Sequence, residues 1–511
     1  MIGLLNFKIF LGEILLRIKN AAGRNIETNI IGKKYQPFNG AKKYNSISKL
    51  TNLSDALIKC GLRDGSTISF HHQLRNGDNV INMTLKRIQD LKIKNIRMAQ
   101  TAMFDVHEPV INLIKEGVVN RIEGSINGVV GDYISRNPLS YPVVLRSHGG
   151  RWAAIKTNDL HIDIAIITAS SSDVKGNCTG VIGKSAFGPI VYSQIDAKMA
   201  DKIIVVADNI VEYPCRFQEI TEGYVDYVVE VDCIGSPENI VSGTTKITAD
   251  PMKQGIAYKC IELMNAAGII KNGMTFQSGA GGISLAVTKY LGETLEEKNV
   301  TAAFAIGGVT KFLTDIYEKG RINKLYFGQC FDSHCVSFFS ENSGIPILNV
   351  GHYADPLSKG RSVDNLDVVV LGATEVDTDF NVNVNTHSDG RMLHGIGGHQ
   401  DTAAGARLTI ITVPLYRKKN PIVREKVTTI TTPGGVVDAI VTNEGIAINP
   451  NRKDIIDKVK GKIDISTIDE LKNMAYSATG SPEKLNFGEE IVGIIKWIDG
   501  TVLDNIRIVK D

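Results

Sequence analysis

Residues 268–291, GIIKNGMTFQSGAGGISLAVTKYL, read as a short strand, a glycine-rich turn and a helix, and the chain carries the same pattern once before. At residues 61–85 the text is GLRDGSTISFHHQLRNGDNVINMTL, with Gly61, Gly65 and Thr67 falling on Gly268, Gly273 and Thr275. Sliding the sequence against itself extends the match. HIDIAIITASSSDVKGN (161–177) lies over NLDVVVLGATEVDTDFN (365–381), pairing Asp163 with Asp367, Asp173 with Asp377 and Asn177 with Asn381. DKIIVVAD (201–208) matches ARLTIITV (406–413), and YVDYVVEVD (224–232) matches VVDAIVTNEG (436–445). The offset stays between 204 and 208 and grows to 212 at the last match, so the reading is two tandem copies of one fold.

In each copy, β-branched runs alternate with helical stretches such as NVINMTLKRIQDL (79–91) and ISLAVTKYLGETL (283–295). That alternation indicates βαβ units on a parallel sheet. The expected fold class is therefore α/β, built as two related open domains at residues 45–243 and 244–511, after an N-terminal arm at 1–44. In open parallel sheets the working loops lie beyond the carboxyl ends of the strands. Here those loops are SFHHQLRNGD, SSSDVKGN, SGAGG, AIGGV, DTDFN and GIGGHQD, and opposed copies would bring both sets into one cleft. The opening MIGLLNFKIFLGEILLRIK is interrupted by Lys8, Glu13, Arg17 and Lys19. It is too charged for a membrane span and reads as an amphipathic helix with Leu4, Leu5, Leu11 and Leu15 on one side.

A net charge of +2 excludes a strongly basic nucleic-acid binder, although the first fifty residues hold nine Lys or Arg against Glu13 and Glu27 alone. A solvated basic tail is the simpler reading of that arm, and an acidic partner the alternative. Seven cysteines without a CxxC pair point to a reducing compartment, with the cytoplasm as the expectation. No GxxxxGK[ST] occurs, and neither glycine loop has the spacing of a nicotinamide site. CFDSHC (330–335) holds metal-ligand residue types in a spacing that fits none of the usual zinc patterns, so no metal is expected. Strand, glycine loop and helix in sequence present backbone N–H groups to an oxyanion or a phosphate, although such glycines often serve tight packing alone.

Taken together, SFHHQLRNGD, RSHGGR, QCFDSHC, SVDNLDVVVLGATEVDTDFNVNV, GIGGHQDTA and TTITTPGGVVDAIVTNEGIAINP resemble the CoA-transferases and, within them, the α subunits of citrate lyase. The resemblance runs from about residue 45 to the carboxyl end and leaves residues 1–22 outside it. It implies exchange of acids on a thioester: acetyl-ACP and citrate give citryl-ACP and acetate. The chain itself would bind no cofactor; a CoA-like phosphopantetheine would arrive on an acyl carrier protein (γ) subunit, with a citryl-ACP lyase (β) subunit as the second partner in an oligomeric complex. In the family the GxGG loop belongs to the acyl-thioester cleft, where GIGGHQD falls in copy two and VIGKSAFGP (181–189) in copy one.

Many CoA-transferases carry a glutamate nucleophile on the loop after the second strand of their second copy. Here the strand NVTAAFA (299–305) leads into Ile306-Gly-Gly-Val, and no carboxylate stands there. The SEN of FFSENSGIPI (338–347) lies well beyond that strand, which makes Glu341 a coincidence. The implied chemistry is attack by citrate itself through a mixed anhydride in one ternary complex. Gly279, Gly281, Gly307 and Gly308 are the candidate backbone donors to the oxyanion. His71, His72, Arg75, Ser278, His334, Arg391, Gly397, Gly398 and His399 are the candidate substrate-binding residues, with Arg146, Arg151 and His148 beside them, because citrate requires cationic or strongly donating groups. The alternatives are a covalent glutamyl route at Glu341 or Glu444, a citramalate-specific relative, and a non-catalytic binder on the same fold.

Overall fold

The computed structural model describes residues 8–10, 13–19, 24–28, 48–240, 246–279, 281–342 and 344–510. The chain separates into two compact units, Met1–Ser46 and Ile47–Asp511. In the first, strands Lys8–Phe10, Glu13–Lys19 and Asn25–Thr28 form an antiparallel meander. The expected amphipathic helix is thus corrected: Leu15 falls within a strand, while Leu4, Leu5 and Leu11 lie outside the described residues. The cause is non-local. Glu13–Lys19 pairs on both sides, and Arg17 stands opposite Glu27 with their side chains 2.7 Å apart, a cross-strand match that helical spacing cannot see.

The second unit contains two seven-stranded sheets that repeat each other. The first runs Leu50–Thr51, Tyr227–Glu230, Lys202–Ala207, Ile164–Ala169, Thr67–Phe70, Ile96–Gln100 and Val119–Ile122, all parallel. In the second, Ala439–Val441, Thr409–Thr412, Val368–Gly372, Thr275–Ser278, Ala302–Val309 and Ile322–Cys330 follow the same order, with Ile446–Ile448 added antiparallel at the edge. Every residue of the central strand Ile164–Ala169 is buried, as expected for a sheet covered on both faces.

The matched residues of the two copies do matched work. Gly61 and Gly268 sit at φ +79° and +72°, and Gly65 and Gly273 at +82° and +81°, so each pair of turns needs the left-handed backbone that glycine adopts without strain. Asp163 accepts the N–H of Thr67 at 2.7 Å, and Asp367 that of Thr275 at 3.1 Å. Asp173 and Asp377 each fold a tight loop by accepting the backbone N–H and side-chain amide of Asn177 and Asn381. What the repeat preserves at these positions is therefore strand register and loop shape.

The copies meet through a duplicated helix. His148–Lys156 is capped by Ser147, and its counterpart Val350–Ala354 by Asn349. Each helix offers a glycine to the other. A Cβ on Gly149 would run into the carbonyl of Ala354, and one on Gly351 would lie 2.5 Å from the Trp152 ring. Lys156 closes the contact with Asp355 at 2.7 Å. The C-terminal hairpin Phe487–Lys496 and Val502–Val509 returns to the first copy, where Phe487–Lys496 pairs in parallel with Val143–Leu145.

Replacing Gly351 by Ala forces a methyl into Trp152. Overpacking of this kind costs about 1–3 kcal/mol, so the melting temperature of the variant should fall by several degrees in a thermal scan. An unchanged melting temperature would show that this helix contact is loose.

Candidate active site between the two sheets

The carboxyl ends of the strands of both copies converge on a cavity of about 630 Å³. The first copy contributes His72, Arg75, Thr101, Phe104, His148 and Tyr192, and the second contributes Gln277, Gly307, Gln329, Phe331, Tyr353 and the 393–399 loop. The GIGGHQD segment joins the two. Its Gly397 carbonyl accepts the N–H of His148 at 2.9 Å. Asp401 reaches across to accept from the Ser147 hydroxyl at 2.7 Å and the Gly149 N–H at 3.1 Å, at the N-terminus of the His148–Lys156 helix. His399 is tied down as well, with Nδ1 2.8 Å from the Thr432 hydroxyl and Nε2 3.2 Å from the Gly372 carbonyl. The segment does not lead straight into a strand: a helix, His399–Gly405, intervenes before Thr409–Thr412. The matching helix in copy one is Gln194–Met199, so the counterpart of Gly397–Gly398 is Tyr192–Ser193. VIGKSAFGP lies just upstream of it.

Of the sequence candidates, His72, Arg75, Ser278, Gly279, Gly307, Gly308, Gly397, Gly398 and His399 line the cavity. His71, Gly281, His334 and Arg391 do not. His71 is buried with Nε2 3.9 Å from Asp196, whose carboxylate is gripped by both terminal guanidinium nitrogens of Arg151. Gly281 is an exposed cap of the helix Gly282–Glu297. His334 is exposed on Ser333–Glu341 because Asp332 caps that helix through the Cys335 N–H, and this turns the DSHC ligand types apart. Arg391 pairs with Asp389 and Asp132 at 2.8 and 2.7 Å. Arg146 likewise pairs with Glu123 and Asp159. One grouping of three metal-ligand types occurs among the described residues, His161, Asp163 and Asp201, and it stands at the opposite ends of the strands, where Asp163 already holds Thr67.

The cavity wall carries few charges. Arg75 is the only Lys or Arg among its described lining residues; its backbone is left-handed at φ +53°, and its guanidinium lies 5.3 Å from the Phe104 ring and 4.8 Å from Phe331, one ring from each copy. Burial drives the imidazoles toward neutrality: His148 and His399 are lowered to about 4, and His72 falls well below its ordinary value through burial and the neighbouring His148 and Arg75. The Thr101 hydroxyl accepts the His72 backbone N–H at 3.0 Å and lies 2.6 Å from the ring Nδ1, which holds the imidazole in place. The Tyr192 hydroxyl donates to Gln329 Oε1 at 3.0 Å, with its ring 4.5 Å from His72 and 4.8 Å from His148. Gln277, Gln329, Tyr192 and Tyr353 were not singled out by the sequence. A polar residue ending an apolar strand, as in MTFQ and LYFGQ, was the available signal.

A family described as the alpha subunit of citrate lyase matches residues 47–509. The chain belongs to the citrate lyase alpha subunit family. It is 42% identical to the citrate lyase alpha chain of Haemophilus influenzae over 463 residues, 90% of this chain and 93% of that one. A crystal structure of a citrate lyase alpha subunit from Streptococcus mutans, in complex with citrate, superposes with a TM-score of 0.90 at 42% identity, covering 94% of this chain and 95% of that one. At the level of fold alone, the 4-hydroxybutyrate CoA-transferase of Porphyromonas gingivalis matches with a TM-score of 0.55 at 17% identity, over 84% of this chain and 95% of that one. The chain is accordingly a transferase subunit of CoA-transferase type, one member of a multi-subunit enzyme. Among its described residues no helix is long and apolar enough to cross a membrane.

Burial raises the Asp401 carboxyl from 3.8 to about 6, against the opposing pull of Ser147 and Gly149. The folded chain therefore holds a proton between these two values that the unfolded chain has released. The stability this contributes is complete below about pH 4 and is lost as pH rises through about 6, a difference of about 3 kcal/mol. Asp401→Asn cannot titrate. The melting temperature of the parent relative to the variant should fall between pH 4.5 and 7, and a gap that does not change with pH would contradict this assignment.

Proposed function

We propose that this subunit exchanges the acetyl group of acetyl-ACP for citrate, releasing acetate and leaving citryl-ACP, through a mixed anhydride in a single ternary complex. The acyl thioester would arrive on the phosphopantetheine arm of an acyl carrier protein subunit. A citryl-ACP lyase subunit would then consume the product. The observation that carries this reading is the absence of a nucleophilic glutamate from the wall. Among the described lining residues Asp105 is the single carboxylate; it is exposed at the mouth, and one of its oxygens accepts the Val129 N–H. Glu341 and Glu444 are exposed and do not line the cavity.

In the exchange, a carboxylate oxygen of citrate forms a bond to the acetyl carbon and the carbonyl electrons move onto oxygen. Collapse breaks the C–S bond and releases thiolate from the anhydride; the thiolate then adds to the citryl carbonyl and expels acetate. No proton is gained or lost overall, which suits a wall of neutral imidazoles and phenols around one guanidinium. A carboxylate is a weak nucleophile, so the contribution of the protein is alignment of two bound acyl groups in a site shielded from water. Arg75 is the anchor for a citrate carboxylate, held rigid by the two aromatic rings.

Citrate-dependent release of acetate from acetyl-CoA, a surrogate for acetyl-ACP, tests the activity. Borohydride added after incubation with acetyl-CoA alone should leave activity intact, whereas a covalent glutamyl thioester would be reduced and the enzyme inactivated. Arg75→Lys should raise the KM for citrate by about 10–100-fold, the cost of a lost charged hydrogen bond, because an ammonium does not reproduce the planar fork. A KM within about twofold of the parent would remove Arg75 from the citrate site.

A further inference from the structure

Three adjacent strands of the second sheet, Thr275–Ser278, Ala302–Val309 and Ile322–Cys330, end side by side at the cavity. The middle strand delivers Gly307 and Gly308 through a break in register, and Gly307 sits at φ +113°. A Cβ at 307 would stand 2.9 Å from Cδ of Gln277, so any side chain there would displace that amide. On the other side stands Gln329, 3% exposed. The place beside Gly307 where a side-chain nucleophile is missing is thus flanked by two glutamine amides.

Each amide is held by a tyrosine. Gln329 Oε1 accepts from the Tyr192 hydroxyl at 3.0 Å, which fixes the amide the other way round, with Nε2 3.3 Å from the His72 carbonyl. One N–H of that NH2 is engaged by His72, which leaves the second for the cavity. Both Gln329 contacts cross from one copy to the other, so the orientation of the amide depends on the docked pair of sheets. Gln277 has Nε2 3.0 Å and Oε1 3.2 Å from the Tyr353 hydroxyl, and Tyr353 belongs to the same helix, Val350–Ala354, that packs on the first copy. Burial raises both phenols, which keeps them neutral donors.

We propose that Gln277 and Gln329 are catalytic side chains whose amide N–H groups bind the tetrahedral oxyanions of the exchange. This rests on the carboxylate-attack reading above. The oxyanion forms twice, once when citrate oxygen adds to the acetyl carbon and once when thiolate adds to the citryl carbon. Donors fixed in place before either addition stabilise both without reorganising. Neutral amides suit the task because they neither titrate nor compete with the attacking carboxylate. In this arrangement Tyr192 is a positioning residue: it orients Gln329.

The test compares Gln277→Met, Gln329→Met and Tyr192→Phe with the parent full-length chain, in acetate release from acetyl-CoA and in citrate binding by calorimetry. Each glutamine variant should lose about 100-fold in kcat, in line with removal of one oxyanion donor, with the KM for citrate and its calorimetric Kd changed by less than about threefold. Tyr192→Phe keeps the ring against His72 and should lose about 10-fold in kcat alone. If both glutamine variants retain kcat within about threefold, the donor assignment is overturned while the exchange reading stands. If kcat falls only in step with citrate affinity, the amides bind ground-state citrate and the assignment is again overturned. Absence of citrate-dependent release by the parent chain would overturn the exchange reading and the donors with it.

Discussion

The contact on which the rest depends is the crossing of two short helices, His148–Lys156 and Val350–Ala354, at glycines that allow close approach. Each helix places its first residue, His148 or Val350, in the cavity wall, so their packing sets the separation of the two rows of strand ends. Asp401 fastens the same crossing from a third direction by capping the first-copy helix with a second-copy carboxylate. A negative group at a helix N-terminus is favoured by the unsatisfied N–H groups and the helix dipole, and here that preference works between copies. The residues that look most catalytic in GIGGHQD, His399 and Asp401, are thereby committed to architecture, and its glycines give the backbone room at the cavity.

Electrostatics follow from that closure. A cavity set between two sheets desolvates His72, His148 and His399, and neutral imidazoles offer hydrogen bonds without acting as acids near neutral pH. The remaining cation, Arg75, is confined between an aromatic ring from each copy. Such a site stabilises redistribution of one negative charge among carboxylate, oxyanion and thiolate better than it would proton transfer. That is the demand of an exchange in which no proton changes hands.

The sequence exposes the duplication because turn glycines and strand-opening aspartates are dictated by local backbone geometry. Gly61 and Gly268, or Asp163 and Asp367, recur since each must serve the same φ angle or the same unsatisfied N–H. It also locates most of the cavity, because the ends of parallel strands are readable as glycine loops. What it hides is decided between copies. Tyr192 and Gln329 are far apart in the chain and gain meaning only from each other, and Arg391 and His334 sit in loops of the right composition whose side chains turn elsewhere. The N-terminal meander escapes for a different reason: its strands are fixed by cross-strand pairing, such as Arg17 with Glu27, which helical periodicity does not register.

Oxygen tracing in a single turnover reaches the central claim, that citrate itself attacks the acetyl thioester with no protein carboxylate between them. With the chain in excess over acetyl thioester and citrate labelled with oxygen-18 in its carboxylates, the acetate released in the first turnover should carry one labelled oxygen. Unlabelled acetate in that turnover, with the label left on a carboxylate of the protein, would contradict the account.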